Sequence, residues 1–466
     1  MKILCTGDLH LGRRSSRLPR HLDDRAHSAA ACWERVVELA LAESVAAVVV
    51  SGDLVDRANR FYEAAGPLEA GVRRLAAAGI TTVAVAGNHD FDVLPRLAAG
   101  LGPDAFRLLG AAGAWERTTI RRDGAVLHLD GWSFPAQYVR ESPVAYYDLP
   151  VPDNAPVLAL LHADLEQPAS PYAPVMLGEL RARPVDFWLL GHVHLPALHD
   201  AAGATPVLYP GSPQALDPGE TGAHGAWLLE LAPGRRFTTR FVPLSSVRYD
   251  EVVVDLTGVV DLGEVDVRVA AAVRAHLESL VDDVALRCIS CRLRVVGRTQ
   301  VHRQLGPHLE ALAADLELPG PGGATASVEK VEVATRPGYD LAELARGNDP
   351  VGLLARLLIG LDDVDRASSH QGAEPAAVPG HPPAGLDPEQ LRLLRDAERA
   401  AVEVAQSRAY LGLRDRNGVG RGGGRGDVVY GDSLSGDAAL RGLARDALAR
   451  QAALLLDALL AQKEVA

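Results

Sequence analysis

Lysine is nearly absent from this chain of 466 residues, occurring at Lys2, Lys330 and Lys463 alone. Arginine carries the positive charge instead, a skew of genome composition that bears on no function. Cations are also outnumbered: 47 Lys and Arg stand against 60 Asp and Glu, for a formal net charge of −13. This argues against a chain that grips nucleic acid through overall basicity. A DNA or RNA contact would need a local basic patch, divalent cations or a basic partner. Cysteine is scarce too, with Cys5, Cys32, Cys288 and Cys291 too few for a disulfide framework. No run of 18 apolar residues occurs, so no membrane span is expected. The opening Lys2-Ile3-Leu4-Cys5 lacks the apolar core of a secretory signal, and the cytoplasm is the expected compartment. What remains, 48% hydrophobic and 23% charged, is the composition of a soluble globular protein. The length predicts about three domains.

The pattern along the chain changes twice. Residues 3–6, 46–50 and 82–86 read as short buried strands, alternating with helical spacing over 25–43 and 62–78. Such alternation predicts a largely parallel sheet flanked by helices. From residue 115 short strands dominate, at 118–121, 126–132, 157–161, 187–190, 207–209, 226–231 and 237–242. They fit a second, mixed sheet. The expected fold of residues 1–245 is therefore α/β, a two-sheet β-sandwich flanked by helices. Residues 246–340 read as a small α+β module, with strands at 250–256, 284–296 and 327–334 and helices at 267–280 and 300–316. Residues 341–466 form a helical C-terminal region. There the segment 340–359 reads as a helix, 367–385 as a Pro/Gly-rich linker, and 388–413 and 438–463 as amphipathic helices around a flexible 414–426.

Five motifs carry the chemistry: Gly7-Asp8-Leu9-His10, Gly52-Asp53-Leu54-Val55-Asp56, Gly87-Asn88-His89-Asp90, His162 in a Leu-Leu-His-Ala-Asp run, and Gly191-His192-Val193-His194. Each follows an apolar strand, and in open α/β sheets ligand groups gather at the carboxyl ends of strands. Asp8 and His10 stand two apart and face one way if the strand extends to them, as do His192 and His194. The donor set is Asp, Asn and His without Cys, which suits Mn²⁺, Fe or Zn²⁺ better than Ca²⁺. A carboxylate such as Asp53 can bridge two cations. A pair about 3.5–4 Å apart stabilises both the attacking and leaving oxygens of a phosphate ester. Singly, an Asp-x-His pair is a common loop feature and His162 a hydrogen-bonded core histidine. Five motifs in this order point to one site.

Residues 1–245 resemble the calcineurin-like metallophosphoesterase superfamily, whose pattern runs D-x-H, GD, GNH[DE], H and GHxH. The resemblance implies a double β-sandwich, agreeing with the strand count, and two divalent ions, Mn²⁺ above all. It implies one ion held by Asp8, His10, Asp53 and His194, and the other by Asp53, Asn88, His162 and His192. His89 would be the catalytic histidine, beside the phosphate rather than on a metal. Asp56 would orient it, and Arg57 would bind phosphate, since phosphatases of the superfamily place an Asp-Arg pair here; a solvated helix-entry residue is the alternative for Arg57.

Within the superfamily, Gly-Asp-Leu-His-Leu-Gly with Arg13, Arg14, Arg17 and Arg20 nearby, and Tyr209-Pro210-Gly211-Ser212-Pro213-Gln214, resemble the SbcD-type DNA repair exonucleases. Glu220-Thr221-Gly222 and the α+β module, read as a capping domain, agree. This implies cleavage of DNA phosphodiesters with Arg13 and Arg14 on the substrate, an ABC-type ATPase partner with a long coiled coil, and a homodimer. Asp56 departs from the pattern, because many double-strand-break nucleases carry His there. A phosphodiesterase or phosphatase acting on a small or protein phosphoester is the second reading, and a catalytically silent scaffold the third. Cys288-Ile289-Ser290-Cys291 lacks the second pair a closed zinc site needs and is read as structural.

Overall fold

The computed structural model describes residues 1–19, 22–56, 63–151, 155–232, 235–280, 285–369, 451–453, 455–456 and 459–460. The chain forms two compact units. One gathers Met1–Val254, Asp266–Val295 and Pro307–Val333; the other gathers Asp255–Val265, Val296–Gly306 and Ala334–Ala466.

The first unit holds two six-stranded sheets. In one, Lys2–Thr6, Ala47–Val50, Thr81–Ala84 and Phe106–Leu108 run parallel in that order. Gly225–Ala232 and Arg236–Pro243 extend it antiparallel beyond Lys2–Thr6. In the other, Ala125–Trp132, Val157–His162, Phe187–Gly191 and Val207–Tyr209 run parallel, with Glu116–Arg122 and Ala197–His199 as antiparallel edges.

Side-chain alternation lets one strand serve two cores. Ile3 and Cys5 join Val49, Val83, Leu129, Leu158 and Leu189 in a buried layer drawn from both sheets. Leu4, Val48 and Val50 face the other way, onto Trp33, Val36 and Val37 of the helix Ala29–Ala42 and Leu68, Val72 and Leu75 of the helix Ala65–Ala77. In the second sheet Ala159, Leu161, Trp188 and Leu190 pack outward with Trp115 and Tyr147. Strands buried on both faces read as unbroken apolar runs, and each fully buried Leu or Val contributes about 1.5–3 kcal/mol. The result is the expected helix-flanked two-sheet α/β sandwich.

Local chemistry moved several boundaries. The first helix starts at Ala29, not 25, because Ser28 caps it, its side chain accepting from Ala31 N at 3.1 Å. The single helix expected over 340–359 is two, Leu341–Leu344 and Pro350–Ser369. Pro350 biases the residue before it away from helical geometry, and Asp349 caps the second helix by accepting from Gly352 N at 2.9 Å. A four-stranded sheet follows the order Val247–Asp255, Cys288–Thr299, Thr325–Pro337, Glu317–Pro319.

In the second unit Val351 and Leu358 pack with Ala452, Ala453 and Leu456. The described part of the helix expected at 438–463 therefore lies against Pro350–Ser369. The helix expected at 388–413, the linker beyond Ser369, the 414–426 segment, Arg20 and Arg57 lie outside the described residues. Among those described, no helix is long and apolar enough to cross a membrane.

Candidate metal centre

Every motif stands at the carboxyl end of a parallel strand. Asp8 and His10 follow Lys2–Thr6, Asp53 follows Ala47–Val50, and Asn88 and His89 follow Thr81–Ala84. His162 ends Val157–His162, and His192 and His194 follow Phe187–Gly191. The parallel order brings them together. Three overlapping groups, Asp8 with His10 and His194, His10 with Asp53 and His89, and Asp8 with Asp53 and His162, each hold their ligand atoms within 4.8 Å of one another.

The distances knit these groups into one centre. His10 Nε2 lies 3.1 Å from His194 Nε2 and 3.8 Å from Asp53 Oδ2. His162 Nε2 is 3.0 Å from Asn88 Oδ1 and 3.4 Å from Asp53 Oδ2, and its Nδ1 is 3.1 Å from the Ser51 carbonyl. The His192 ring stands 5.2 Å from that of His162, and its backbone N–H donates to Asp8 Oδ1 at 2.9 Å. His89 N–H donates to Asp53 Oδ1 at 2.9 Å. The His89 side chain is 37% exposed, against 1% for His10, which makes it the most accessible imidazole of the cluster.

Holding so many polar groups together strains the backbone. Asp8, His10 and Asp53 sit at φ of 50°, 49° and 49°, and His192 at 97°. That is left-handed territory, which Asp and His enter more readily than most residues. Gly52, at φ 100°, has no alternative: a Cβ there would lie 2.5 Å from His162 Nδ1. At Gly87 a Cβ would collide with the Asp53 carboxylate.

A second set of carboxylates orients the first. Glu220 Oε1 accepts from His194 Nδ1 at 2.7 Å, while its Oε2 accepts from Ser212 Oγ and Leu216 N. Asp164 Oδ1 is 3.4 Å from His192 Nε2 and accepts from Ser170 Oγ through its other oxygen. Asp90 clips two motif loops together, accepting from Leu54 N, Val55 N and Gly87 N. Asp56 Oδ1 stands 3.5 Å from Nδ1 of both His10 and His89. The Asp56 carboxylate raises the His89 imidazole above its ordinary value, against the effect of burial. Sequence reasoning gave Asp56 this orienting place but assigned no role to Glu220, Asp164 or Asp90. The one available signal for Asp90 was its position as the fourth letter of Gly-Asn-His-Asp.

The arrangement suits cations. Asp8 and Asp53 are buried, and among the described residues their ion pairs are with imidazoles rather than Arg or Lys. Burial disfavours charge on His162, yet Asp53 and Asp8 overcome it and lift the imidazole to about 9. So large a local excess of negative charge is what a divalent cation would neutralise.

The first 196 residues match the family model of the calcineurin-like phosphoesterases. This segment belongs to the calcineurin-like metallophosphoesterase superfamily. Residues 249–336 match the family model described as the middle domain of the metallophosphoesterase YhaO. The chain is 29% identical over 269 residues to the uncharacterized metallophosphoesterase YhaO of Bacillus subtilis, covering 54% of this chain and 62% of that one. It is 32% identical over 267 residues to the DNA double-strand break repair protein Mre11 of Haloferax volcanii, covering 53% of this chain and 54% of that one. The match thus spans less than two thirds of either relative's length. Among solved structures, TT1561 of Thermus thermophilus aligns at 17% identity and a TM-score of 0.33, over 52% of this chain and 98% of that one.

Divalent cations in a metallophosphoesterase centre act as Lewis acids on the phosphoryl oxygens and lower the pKa of water. Of the other residues flagged from the sequence, Arg13 and Arg14 follow His10 closely in the chain, and Arg13 N donates to the His10 carbonyl at 2.9 Å. Arg13 pairs with Asp217 at 2.5 Å. Arg14 pairs with Asp24 at 3.2 Å and Glu63 at 3.9 Å.

Proposed function

We propose that this chain is a metal-dependent DNA nuclease that hydrolyses phosphodiester bonds with Mn²⁺ and works in DNA repair beside an ABC-type ATPase. The observation that carries the hydrolytic part is the convergence of Asp8, His10, Asp53, Asn88, His162, His192 and His194 on one edge, with His89 exposed over it. Two cations would divide these ligands, one on Asp8, His10, Asp53 and His194 and the other on Asp53, Asn88, His162 and His192. Asp56 turns Nδ1 of His89 inward, which leaves Nε2 to hold a proton for the departing oxygen. The likeness to a protein named for double-strand break repair, with Arg13 and Arg14 close to His10 in the chain, supports DNA as the substrate.

A small-molecule or protein phosphoester is the second reading. It is favoured by Asp56, which stands between His10 and His89 where many break-repair nucleases carry histidine. One experiment separates the two. The purified protein with Mn²⁺ is given linear double-stranded DNA and bis-p-nitrophenyl phosphate, alongside His89→Ala. The nuclease reading requires both substrates to be cut by the wild type and neither by the variant. Cleavage of the small ester alone moves the second reading to first place.

A further inference from the structure

We infer that Tyr172 and Tyr138 form a stacking platform for unpaired nucleobases beside the metal centre. The inference rests on the nuclease reading and refines its substrate, to a single strand or a frayed duplex end.

Three rings make a stepped row. The Tyr172 centroid is 4.9 Å from that of His192, and the Tyr138 centroid is 5.8 Å from that of Tyr172, each ring tilted 39° to the next. The row begins on a candidate metal ligand and ends in solvent, where Tyr138 is 54% exposed. Such spacing is normal for aromatic pairs. What needs a reason is the uncovered outer ring, in a chain with only 5% aromatic residues.

The row is also rigidly mounted. Val139 N donates to the Pro171 carbonyl at 2.8 Å and Ala173 N to the Val139 carbonyl at 2.7 Å, fastening the two tyrosine loops together. Asp164 N donates to the Tyr172 carbonyl at 3.0 Å. Beneath them the Tyr209 hydroxyl donates to the Ala163 carbonyl at 2.7 Å and accepts from Leu165 N at 3.0 Å. Rings placed in advance lose little entropy when a ligand lies on them.

A nucleobase offers a π-face whatever its identity, and base-on-aromatic stacking contributes about 1–3 kcal/mol per base. Inside a duplex those faces are covered by neighbouring pairs, so only an unpaired base can use the platform. A chain of net charge −13 draws little help from phosphate attraction, which gives stacking more weight here than in a basic nuclease.

The test measures binding by fluorescence anisotropy with the full chain and Mn²⁺, in a His89→Ala background so that DNA stays intact. The probes are a labelled single-stranded oligonucleotide and a labelled hairpin duplex closed at both ends by hexaethylene glycol linkers, which holds no unpaired base and no free end. Tyr138→Ala should weaken single-strand binding about 5- to 150-fold, the stacking energy of one base, and leave hairpin binding within about 2-fold. Tyr138→Phe should behave as the parent. Equal single-strand affinity for Tyr138→Ala and Tyr138→Phe, or an equal loss on both probes, overturns the platform while wild-type cleavage of DNA keeps the nuclease reading. A wild type that cuts the small ester but neither binds nor cuts either DNA removes the nuclease reading and the platform with it.

Discussion

Glu220 and His194, 26 residues apart, are joined by a hydrogen bond of 2.7 Å from Nδ1 to Oε1. The bond fixes which imidazole nitrogen faces the centre: Nε2 points at His10 Nε2, 3.1 Å away. Burial would raise the Glu220 carboxyl, but His194 outweighs it and holds the group below the usual range. Glu220 is thus an anchored anion behind a candidate metal-ligand histidine, and such partners raise ligand basicity.

Removing that anchor should loosen the cation. Glu220→Gln is expected to weaken Mn²⁺ binding about 10–100-fold, with Glu220→Asp intermediate. Isothermal titration on the metal-stripped protein reads this directly. The rise in Tm on adding Mn²⁺ should shrink in the same order. Unchanged affinity in Glu220→Gln would show that His194 needs no orienting partner.

Asp90 should matter for folding before it matters for hydrolysis. Its carboxylate satisfies three buried N–H groups on two loops, those of Leu54, Val55 and Gly87. In Asp90→Ala each is left without an acceptor, at about 1–3 kcal/mol apiece. Burial and Asp53 push the Asp90 carboxyl up to about 7, and an asparagine oxygen in place of Oδ2 keeps the bonds from Leu54 N and Val55 N, while its amide nitrogen, a donor, forfeits only the one from Gly87 N. Urea unfolding should find Asp90→Asn markedly milder than Asp90→Ala. If the two lose equal stability, the hydrogen-bond account fails.

Acid should unfasten a different carboxylate. Burial would raise Asp250, yet His276 at 2.7 Å and Arg248 at 2.6 Å overcome it and hold its carboxyl below the ordinary value. A lowered folded-state value means the stabilisation is complete above the unfolded value of about 4 and is lost as pH falls through the folded one. Unfolding free energies at pH 7 and pH 3 should therefore differ less in Asp250→Asn than in the wild type. An identical pH slope in both would assign the acid sensitivity elsewhere.

The cysteines should be silent. All four are buried, and burial pushes the thiols of Cys288 and Cys291 up to about 12 and that of Cys32 to about 11. Thiolates are the reactive form, so Ellman's reagent should find no thiol in the native protein and all four in denaturant. Rapid native-state labelling of Cys288 or Cys291 would contradict their place in the strand.

The candidate ligands were legible because each motif is local: an apolar strand, a glycine, then the donor. Gly52 and Gly87 show why the glycines are part of that signal, since a side chain at either would strike another motif's residue. The supporting carboxylates were not legible, because their pairing is set by three-dimensional distance. Nothing in Glu220-Thr221-Gly222 announces that its first residue meets His194. The same holds for the pairing of Arg13 with Asp217 and of Arg14 with Asp24 and Glu63, which no local pattern announces. Phe106–Leu108 and Ala197–His199 escaped because each is three residues with a polar one among them, whereas Val207–Tyr209, equally short, is wholly apolar and buried.

The left-handed backbone at Asp8, His10 and Asp53 has a consequence for anyone engineering this chain. Non-glycine residues in that conformation cost about 1–2 kcal/mol each, and a cage of like charges adds to the cost while no cation fills it. Asparagine, which enters the left-handed region readily and carries no charge, would relieve both at Asp8 while its amide oxygen still accepts from His192 N. A screen that ranks variants by heat tolerance alone would accordingly enrich for chains that have lost this candidate metal centre, so any search for hardier forms must also select on cation binding at every round.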